Sequence, residues 1–559
     1  MGRLKLLLLA CWMILGSIEL LAQQLNAGMP ILEEHIRRQQ LLGKLTSPYS
    51  FYLRPISWSQ VDQEILDGIS LDPEISKKSF ELVPLPVVLS GVFNSKRPYG
   101  WGNRGLLPNV GFQTYFSTGF YARAKFLTIQ FQPEFIYAQN KSFQGFGEGM
   151  PLSAVRARFF YWNNGDHPER FGADPISRFW WGQSSIKLEV GPFALGLSTE
   201  NIWWGPGQFN SLIFSNNAEG FPHLKLETRR PAKTFLGTFE GQVILGRLEN
   251  SMLPPSQNLD WNQRYFRKFN GDWRYLNGIH LAYQPSFLKG FTVGFSRTFQ
   301  QYNRLRGNKF EDWFPIFEVF QKETFFQNGN TVIYDSKGQD QQVAISFRFF
   351  STKGKFEVYS EFGRRDHNFN WREFLLNPEH ARAYLMGFSK LIPLSEEKLL
   401  SIKGEVTHQQ ESVNRYIRYL GLTGNQTWHT HSLARGFVNR GESLGVGQGV
   451  GSNVQTMEVS MVDGIKKRGI VLERLANHQD FFYRAFGQNS DQRPWIDYSL
   501  GLLWDEQFDS FLIGTKVQLI QSQNYQWQEG RFSSEDFDNA PRSLALFAQV
   551  HLIYALSKN

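Results

Sequence analysis

From about residue 80 to its end, the chain is a series of short runs in which apolar and polar residues alternate. Strict alternation places the apolar side chains on one face of a strand, so each run predicts a half-buried β-strand. The clearest runs lie at residues 127–131, 239–245, 291–295, 343–349, 457–461, 511–519 and 546–554. Such runs recur about every 25 residues, which fits about 16 to 20 strands of an even-numbered antiparallel barrel.

The best-defined hairpin lies between two copies of the sequence Trp-Trp-Gly, which begin at Trp180 and Trp203. Residues 186–190 and 193–197 alternate, and Gly191-Pro192 separates them as a tight turn. The strands of a hairpin run in opposite directions, so the sequence predicts that both Trp-Trp-Gly elements return to the same rim of the sheet.

The polar faces of these runs carry charges such as Glu240, Arg348, Glu458 and Lys516. A barrel would direct them into a water-filled lumen, whereas a soluble sandwich would direct them into solvent, so alternation alone leaves the class open. Longer polar segments separate the strands at residues 140–150, 163–178, 254–272, 304–327 and 523–539. Outer-membrane barrels carry such long connections on the outside, and Tyr525 and Trp527 of the last segment suit a loop that faces sugar.

The first 22 residues are typical of a secretory signal peptide. Arg3 and Lys5 precede the mostly apolar residues 6–15, and Ala22 offers a cleavage point. Lipidation of Cys11 is the disfavoured alternative, because the apolar run before it is short and continues beyond it. Cleavage would remove the only cysteine and lower the formal net charge from +8 to +7. The exported chain would then hold no disulfide, and its stability would come from packing and a closed hydrogen-bond network.

Residues 23–80 differ from the rest, because apolar residues recur there at helical spacing among charges. The pattern predicts a helix over about 31–45 with Gly43 as a breaker, a second from about Ser59 to Leu66, and a third that starts at Asp72. Two interpretations stay open: a soluble tail, or a periplasmic helical segment that closes the floor of a barrel.

Several function classes are excluded by composition. No second segment approaches eighteen consecutive apolar residues, which excludes spanning helices. The basic excess is spread along the chain, which argues against nucleic acid as a partner. The signal peptide, the missing disulfides and the strands that continue to the end favour an all-β transmembrane antiparallel barrel. The predicted organisation is signal peptide 1–22, periplasmic helical segment 23–80 and barrel 81–559.

Catalytic and metal motifs are weak. Ser443 lies in a Gly-x-Ser-x-Gly sequence, but residues 446–451 have glycine at every second position and predict a strand with one bare face, instead of the helix that a nucleophile elbow requires. His429 and His431 would share a face in an extended segment, but no further metal ligand has recognisable spacing. Neither a cofactor nor a metal is predicted.

A resemblance to a known family lies in the segment that follows the second Trp-Trp-Gly. The sequence from Glu200 to Gly207, followed by Leu212 to Ala218, resembles the capsule assembly Wzi family, and Pro98–Gly105, Pro378–Tyr384, 429–451 and Leu472–Arg474 support it. The resemblance covers the barrel portion. It implies an outer-membrane barrel of about eighteen strands, with helices at the periplasmic end, that acts as a non-enzymatic lectin for capsular or related polysaccharide.

The site residues are predicted from chemistry alone, since no binding set comes with the resemblance. Tryptophans stack on sugar rings and arginines bind acidic groups, so the predicted polysaccharide-binding residues are Arg178, Trp180, Trp181, Trp203, Trp204, Arg435 and Arg440. For any single tryptophan, a place in the lipid-facing girdle is the alternative. The predicted partners are capsular or extracellular polysaccharide and outer-membrane lipid. A link to capsule export machinery is left open, and a monomer is expected. A channel for solute or polysaccharide export is the alternative function, and a barrel enzyme centred on Ser443 is a third.

Overall fold

The computed structural model describes residues 24–62, 65, 80–147, 149–269, 271–318, 324–327, 331–334, 338–365, 375–412, 427–487, 492–527 and 542–554. The predicted signal peptide and the predicted third helix lie outside these residues, as do residues 63, 64 and 66 of the predicted second helix. At the predicted start of the second helix, the chain forms a 3₁₀ turn, Trp58–Gln60.

The described strands close into a barrel of eighteen antiparallel strands, which confirms the predicted fold class. Each strand pairs with its neighbours in the chain, and β18 pairs with β1 through Phe547 and Asn94. Closure leaves no unpaired edge in the sheet. In chain order the strands are β1 (Phe80–Asn94), β2 (Gly111–Ala124), β3 (Leu127–Phe131 and Glu134–Ala138), β4 (Ile176–Trp180 and Ser185–Val190), β5 (Phe193–Ser198), β6 (His223–Thr228), β7 (Gly237–Leu248), β8 (Arg274–Pro285), β9 (Phe291–Tyr302), β10 (Asp340–Ser351), β11 (Phe356–Arg365), β12 (Arg382–Pro393), β13 (Lys398–His408), β14 (Asn453–Asp463), β15 (Lys466–Ala476), β16 (Ile496–Phe508), β17 (Phe511–Gln523) and β18 (Arg542–Tyr554).

The alternating runs explain which way each strand faces. On β10, Ile345 and Phe347 point outward and are exposed, while Ser346 and Arg348 between them point inward and are buried. The same arrangement holds on β7, β9, β14, β17 and β18, as predicted. An apolar outer surface on a closed barrel suits a lipid environment, because every backbone group is paired within the sheet.

The two ends of the barrel differ in their connections. At the end where β1 begins and β18 finishes, turns are short: Gly191-Pro192 joins β4 to β5, and Gly464 lies in the turn from β14 to β15 with a φ of 56°. We call this the short-turn end. Connections at the opposite end, the long-loop end, are longer and several carry helices. Among the residues that the structure describes, the helices are α1 (Leu32–Leu41), α2 (Leu152–Gly165), α3 (Leu259–Tyr265), α4 (Phe310–Trp313) and α5 (Gln479–Phe486). No helix among the described residues is long and apolar enough to span a membrane.

The N-terminal segment lies inside the barrel at the short-turn end. Helix α1 confirms the first predicted helix, and Gly43 just beyond it adopts a φ of 77°. On one side of the helix, Glu34 forms ion pairs with Lys403 of β13 at 3.1 Å and with Lys467 of β15 at 2.9 Å. Desolvation alone would raise the pKa of the Glu34 carboxyl, but the positive charges of Lys403, Lys467 and Arg38 hold this pKa well below its usual range. Of the two interpretations left open, the described contacts favour a segment that closes the barrel.

The sequence analysis expects the inward-facing charges to line a water-filled lumen. The structure shows instead that these charges are paired with other protein groups. Glu240 accepts hydrogen bonds from Ser50, and Arg348 bonds to Glu357 and to the carbonyl of Ser50. Buried charges need such partners, because an unpaired charge in a low-dielectric interior is costly. The N-terminal segment supplies many of these partners.

The second Trp-Trp-Gly element also enters the lumen, so the predicted common rim is wrong. Trp203 and Trp204 pair as a short strand with Leu53 and Arg54 of the N-terminal segment. The Trp204 indole donates to Gln242 of β7 at 2.7 Å. A run of polar and small residues after β5 lets the chain leave the wall, and the two large rings are buried against its inner face.

Residues 446–451 form turns, and the strand predicted there is wrong. The alternating glycines instead allow the backbone of this loop to lie close to neighbouring side chains. Gly449 has a φ of 89°, and a Cβ atom there would lie 2.5 Å from Cε1 of His478. Glycine lets this loop fold tightly against its neighbours inside the long-loop end.

Candidate functional site

A cavity of about 190 Å³ lies at the long-loop end of the barrel. Its walls come from distant parts of the chain: the β1–β2 loop, α2, the loop before β14, the β15–β16 loop and the segment after β17. Aromatic rings are frequent in these walls, and the tryptophans and tyrosines among them are Tyr99, Trp101, Trp162, Trp495 and Tyr525. We call this cavity the aromatic cleft.

A buried ion pair organises one wall of the aromatic cleft. Arg97, from the β1–β2 loop, forms an ion pair at 2.7 Å with Asp497 at the start of β16. The same carboxylate oxygen of Asp497 accepts the Trp495 indole N–H at 2.8 Å. The Arg97 guanidinium lies 5.4 Å from the Tyr525 ring centroid and 5.6 Å from those of Tyr99 and Trp495. Cation–π contacts of this kind hold the three rings in fixed positions.

The opposite wall is formed by helix α2. The Arg158 guanidinium lies 3.6 Å from the Trp162 ring centroid and forms an ion pair with Glu169 at 3.3 Å. One face of Trp162 is therefore covered. Its ring also lies 4.9 Å from that of His478, which separates it from Trp495. Trp101 is less buried than the other four rings, so it presents the most accessible surface among these five.

Several polar atoms that line the aromatic cleft make no hydrogen bond within the described residues. They are Oε2 of Glu442, Nε2 of His167, Nδ1 of His478 and Oε1 of Gln448. These atoms can therefore form hydrogen bonds with a polar ligand that enters the cavity.

Burial sets the protonation of these groups. Desolvation, together with the neighbouring Glu219 carboxylate, raises the pKa of Glu442 to about 8, so this carboxyl is protonated and can donate at neutral pH. Desolvation lowers the pKa of His167 to about 4 and that of His478 well below its usual value. Both imidazoles are therefore neutral at pH 7 and offer one donor and one acceptor each. The cleft is a hydrogen-bonding site with little charge of its own.

The structure brings together three of the residues predicted to bind polysaccharide. Arg178 and Arg440 form ion pairs with the two oxygens of Glu219, at 2.9 and 3.1 Å. The Arg178 guanidinium also lies 5.1 Å from the Trp180 ring centroid. We call this group the Glu219 cluster. It adjoins the aromatic cleft, because the charges of Arg178 and Glu219 act on the pKa of Glu442, which lines the cleft.

The other four predicted residues lie elsewhere. Arg435 donates to the carbonyl of Asn163 at 2.7 Å and covers the ring of Phe269. Trp181 is 65% exposed on the outer face, beside Phe131, so its ring points away from the lumen. Trp203 and Trp204 are 3% and 1% exposed and turn no ring face to solvent. Sugar binding by the predicted set stays a prediction, and this placement favours Arg178, Trp180 and Arg440 as its members.

The described geometry does not support the nucleophile elbow. Glu442–Ser443 is a short strand paired with Val438–Asn439, and turns follow it where the motif needs a helix. The rings of His429 and His167 lie 6.1 Å apart. Among the described residues, no group of three or more His, Cys, Asp or Glu side chains could hold a metal ion.

The sequence-based prediction missed the aromatic cleft itself. Trp162, Trp495 and Tyr525 lie on different connections, and no local pattern joins them. Trp101 did carry a signal, because its Gly-Trp-Gly context belongs to the stretch Pro98–Gly105 that supported the family resemblance. Trp527, predicted to face sugar, is instead buried against Phe481 of α5 at a ring distance of 4.5 Å.

Comparison with known proteins agrees with this architecture. Wzi from Escherichia coli, described as an outer-membrane, carbohydrate-binding β-barrel involved in group 1 capsule assembly, superposes with a TM-score of 0.58 at 12% identity, over 96% of this chain and 100% of that chain. OprD from Pseudomonas aeruginosa is 6% identical over 84% of this chain and 92% of that chain, and its TM-score of 0.37 carries no weight. No curated protein sequence matches the chain significantly.

The sequence evidence for the family is independent of the superposition. The family model described as capsule assembly protein Wzi matches residues 106–460, which is more than half of the chain. The matched region includes the second Trp-Trp-Gly element, the Glu219 cluster and the loop before β14. The chain therefore belongs to the capsule assembly protein Wzi family and is an outer-membrane β-barrel.

Proposed function

We propose that this protein is a lectin that holds capsular or extracellular polysaccharide on the outer surface of the cell. The observation that carries the proposal is the aromatic cleft, which combines stacking surfaces with unpaired polar atoms at the long-loop end of the barrel. Long loops face outward in outer-membrane barrels, so the cleft is on the side where surface polysaccharide lies. The E. coli family member is described as carbohydrate-binding, which supports the same chemistry here.

The chemistry of the cleft suits a sugar ring. Sugars present apolar C–H faces that stack on aromatic rings and hydroxyls that need directional partners. Trp101 offers the ring face, while the protonated Glu442 carboxyl and the neutral His478 imidazole offer a donor and an acceptor. The cavity is smaller than the roughly 300–1,000 Å³ of a drug-sized ligand site. It therefore suits a single sugar unit of a polymer, and the polymer gains affinity by engaging many copies of the protein at once.

The Glu219 cluster extends this site toward charged groups. Arg440 is half exposed, and its ion pair with Glu219 leaves other guanidinium N–H groups for a ligand. A carboxylate on an acidic glycan could compete with Glu219 for Arg440, as bidentate arginine–carboxylate pairing requires little rearrangement. We expect acidic polysaccharides to bind more tightly than neutral ones, and more weakly at high salt.

The filled lumen favours attachment over transport. Within the described residues, three elements occupy the interior. Helix α1 pairs with Glu357 of the wall through Arg37, the Trp203–Trp204 element pairs with the N-terminal segment, and the loop before β14 accepts a hydrogen bond from Arg274 of the wall at Val438. A polymer could pass only if these elements moved. We further propose that the protein acts without catalysing a reaction, since Ser443 lacks the strand–turn–helix context of a nucleophile.

The first test measures where surface polysaccharide is found in a strain that lacks this protein. If the total amount is unchanged but the polymer moves from the cells to the medium, synthesis and export are intact and attachment is the lost step. If the polymer stays on the cells in normal amount, the proposal fails. Ion conductance in planar bilayers then tests the channel alternative directly.

The second test isolates the aromatic cleft with Trp101→Ala. Removing this ring should weaken binding of the purified polysaccharide by about 2 kcal/mol, or roughly 30-fold in Kd, as for a central aromatic contact. Trp181→Ala is the matched control, because Trp181 lies on the lipid-facing surface and should leave Kd unchanged. Equal affinity of the two variants would show that the cleft is not the binding site.

A further inference from the structure

A long groove crosses the outer surface of the barrel between two rows of side chains. Its volume is about 1310 Å³, and its lining comes from β9 to β18. The rows follow the strand register, so successive members of a row are directly paired on neighbouring strands. The first row includes Gln455, Arg474, Tyr498 and Gln521 on β14 to β17, and the second includes Met457, Leu472, Leu500 and Leu519 on the same strands.

The two rows differ in polarity, although both face outward. The second row is wholly apolar on these four strands, and its four side chains are 45–54% exposed. We call it the apolar row. The first is polar at all four positions, and we call it the polar row. Outward-facing polar residues are unusual on a surface that contacts hydrocarbon, because a charge in the middle of the bilayer costs about 2–4 kcal/mol.

The height of the polar row explains how it is tolerated. Each of its members lies two residues from the long-loop end of its strand: Gln455 from Asn453, Arg474 from Ala476, Tyr498 from Ile496 and Gln521 from Gln523. This end faces outward from the cell, so the polar row lies at the level of the outer-leaflet headgroups. The apolar row lies one step deeper, where acyl chains begin.

Arg474 supplies the only positive charge of the polar row. Its guanidinium donates to Oε1 of Gln455 at 3.0 Å, and it forms no ion pair within the described residues. Arg468, at the other end of the same strand, provides a contrast, because it also faces outward but is paired with Glu506 of β16. The arginine near the outer leaflet thus has a hydrogen-bonding neighbour and no carboxylate partner, which leaves its charge for an anion.

We propose that this groove binds a phosphate-bearing glycolipid of the outer leaflet. Arg474 would hold the phosphate, assisted by the Tyr498 hydroxyl and the side-chain amides of Gln455 and Gln521. The acyl chains would lie along the apolar row and the groove below it. A groove of this length suits a lipid with several chains, and the charge of Arg474 selects an anionic headgroup. This site is on the outer wall and is independent of the aromatic cleft.

The test uses the full-length mature protein, folded in detergent, with lipid A that carries two phosphates as the probe. Native mass spectrometry counts the lipid molecules retained on each folded barrel. Arg474→Gln should reduce the apparent affinity about fivefold, since one arginine near a membrane surface contributes about 1 kcal/mol. Arg468→Gln, at the opposite end of β15, is the control and should retain the lipid as the unmodified protein does.

A change on the lipid tests the same proposal without any variant. Lipid A stripped of its phosphates should bind the unmodified protein at least as weakly as intact lipid A binds Arg474→Gln. Phosphatidylglycerol, which is anionic but has only two chains, should bind more weakly than intact lipid A. Equal retention of all three lipids, or equal loss in the Arg474→Gln and Arg468→Gln variants, would overturn the proposal.

Discussion

Replacing Glu357 with glutamine tests whether charge pairing holds the N-terminal segment inside the barrel. Glu357 lies on β11 with its side chain fully buried between two arginines. Arg37 of α1 is 2.9 Å from one of its oxygens and Arg348 of β10 is 2.7 Å from the other. The carboxylate is therefore the bridge between the helix and the wall, and glutamine keeps its shape while removing its charge.

The expected cost follows from the burial of all three groups. At an effective dielectric constant of about 20, each arginine–glutamate pair at this separation attracts by about 6 kcal/mol. In the native protein that attraction offsets the desolvation of the charges. In Glu357→Gln the two guanidinium groups stay buried without an anion, which costs about 3–5 kcal/mol. The glutamine carbonyl still accepts one hydrogen bond, so we expect about 3 kcal/mol.

The loss should appear first as release of the N-terminal segment, because β10 and β11 remain paired along their length. Protease cleavage near α1 in the folded, detergent-solubilised protein measures that release, and about 3 kcal/mol corresponds to roughly a 150-fold rise in the open population. Planar-bilayer recordings should then show conductance that the unmodified protein lacks.

Two further variants decide whether the reasoning is correct. Glu311→Gln removes an exposed ion pair with Lys309 and should change nothing measurable, because surface pairs contribute little. The double variant Arg37→Gln, Glu357→Gln also removes one of the two buried guanidinium groups that lack an anion. This double variant should therefore be less destabilised than Glu357→Gln alone. Protection of α1 in Glu357→Gln equal to that of the unmodified protein would refute the account.

Three other predictions follow from the site and the lumen. Trp204→Ala should lower the free energy of unfolding by about 3–5 kcal/mol, because its ring is buried against Phe214; a urea midpoint equal to that of Trp181→Ala would contradict this. Glu442 has a pKa of about 8, above its ordinary value, so its stabilising contribution is complete below about pH 4.5 and is lost as the pH rises through 8. Glu442→Gln should make polysaccharide binding independent of pH between 6 and 9, measured as Kd. Gly449→Ala should weaken polysaccharide binding without changing the barrel, since its positive φ and the nearby His478 ring leave no room for a methyl group; unchanged affinity would mean that this loop does not shape the cleft.

The sequence by itself determined which faces of its clearest strands point outward and inward. Alternation assigned the outward and inward faces of β7, β9, β10, β14, β17 and β18, because a side-chain period of two follows from strand geometry alone. Gly191-Pro192 identified the turn between β4 and β5, and helical spacing identified α1. Each of these is a local property, so neighbouring residues suffice to reveal it.

The contents of the lumen were decided only by the tertiary structure. Alternation shows that Glu240 and Arg348 face inward, but it does not show whether water or protein meets them. Residues 446–451 looked like a strand because alternating glycines mimic a bare face, whereas their backbone packs closely against distant loops. Trp180 and Trp181 are adjacent and point to opposite sides of the wall, while Trp203 leaves the wall altogether.

For the candidate site as well, the sequence identified some of the residues, and only the tertiary structure showed how they come together. The sequence identified Arg178, Trp180 and Arg440, but it could not show that Glu219 joins the two arginines. Arg178 lies on β4, Glu219 on the β5–β6 connection and Arg440 on the loop before β14, and these three parts meet only when the barrel closes. The aromatic cleft depends on five separate parts of the chain. Strand faces are fixed by the chemistry of neighbouring residues, whereas a site at the end of a barrel is fixed by how the loops fold together, and that is a property of the closed structure.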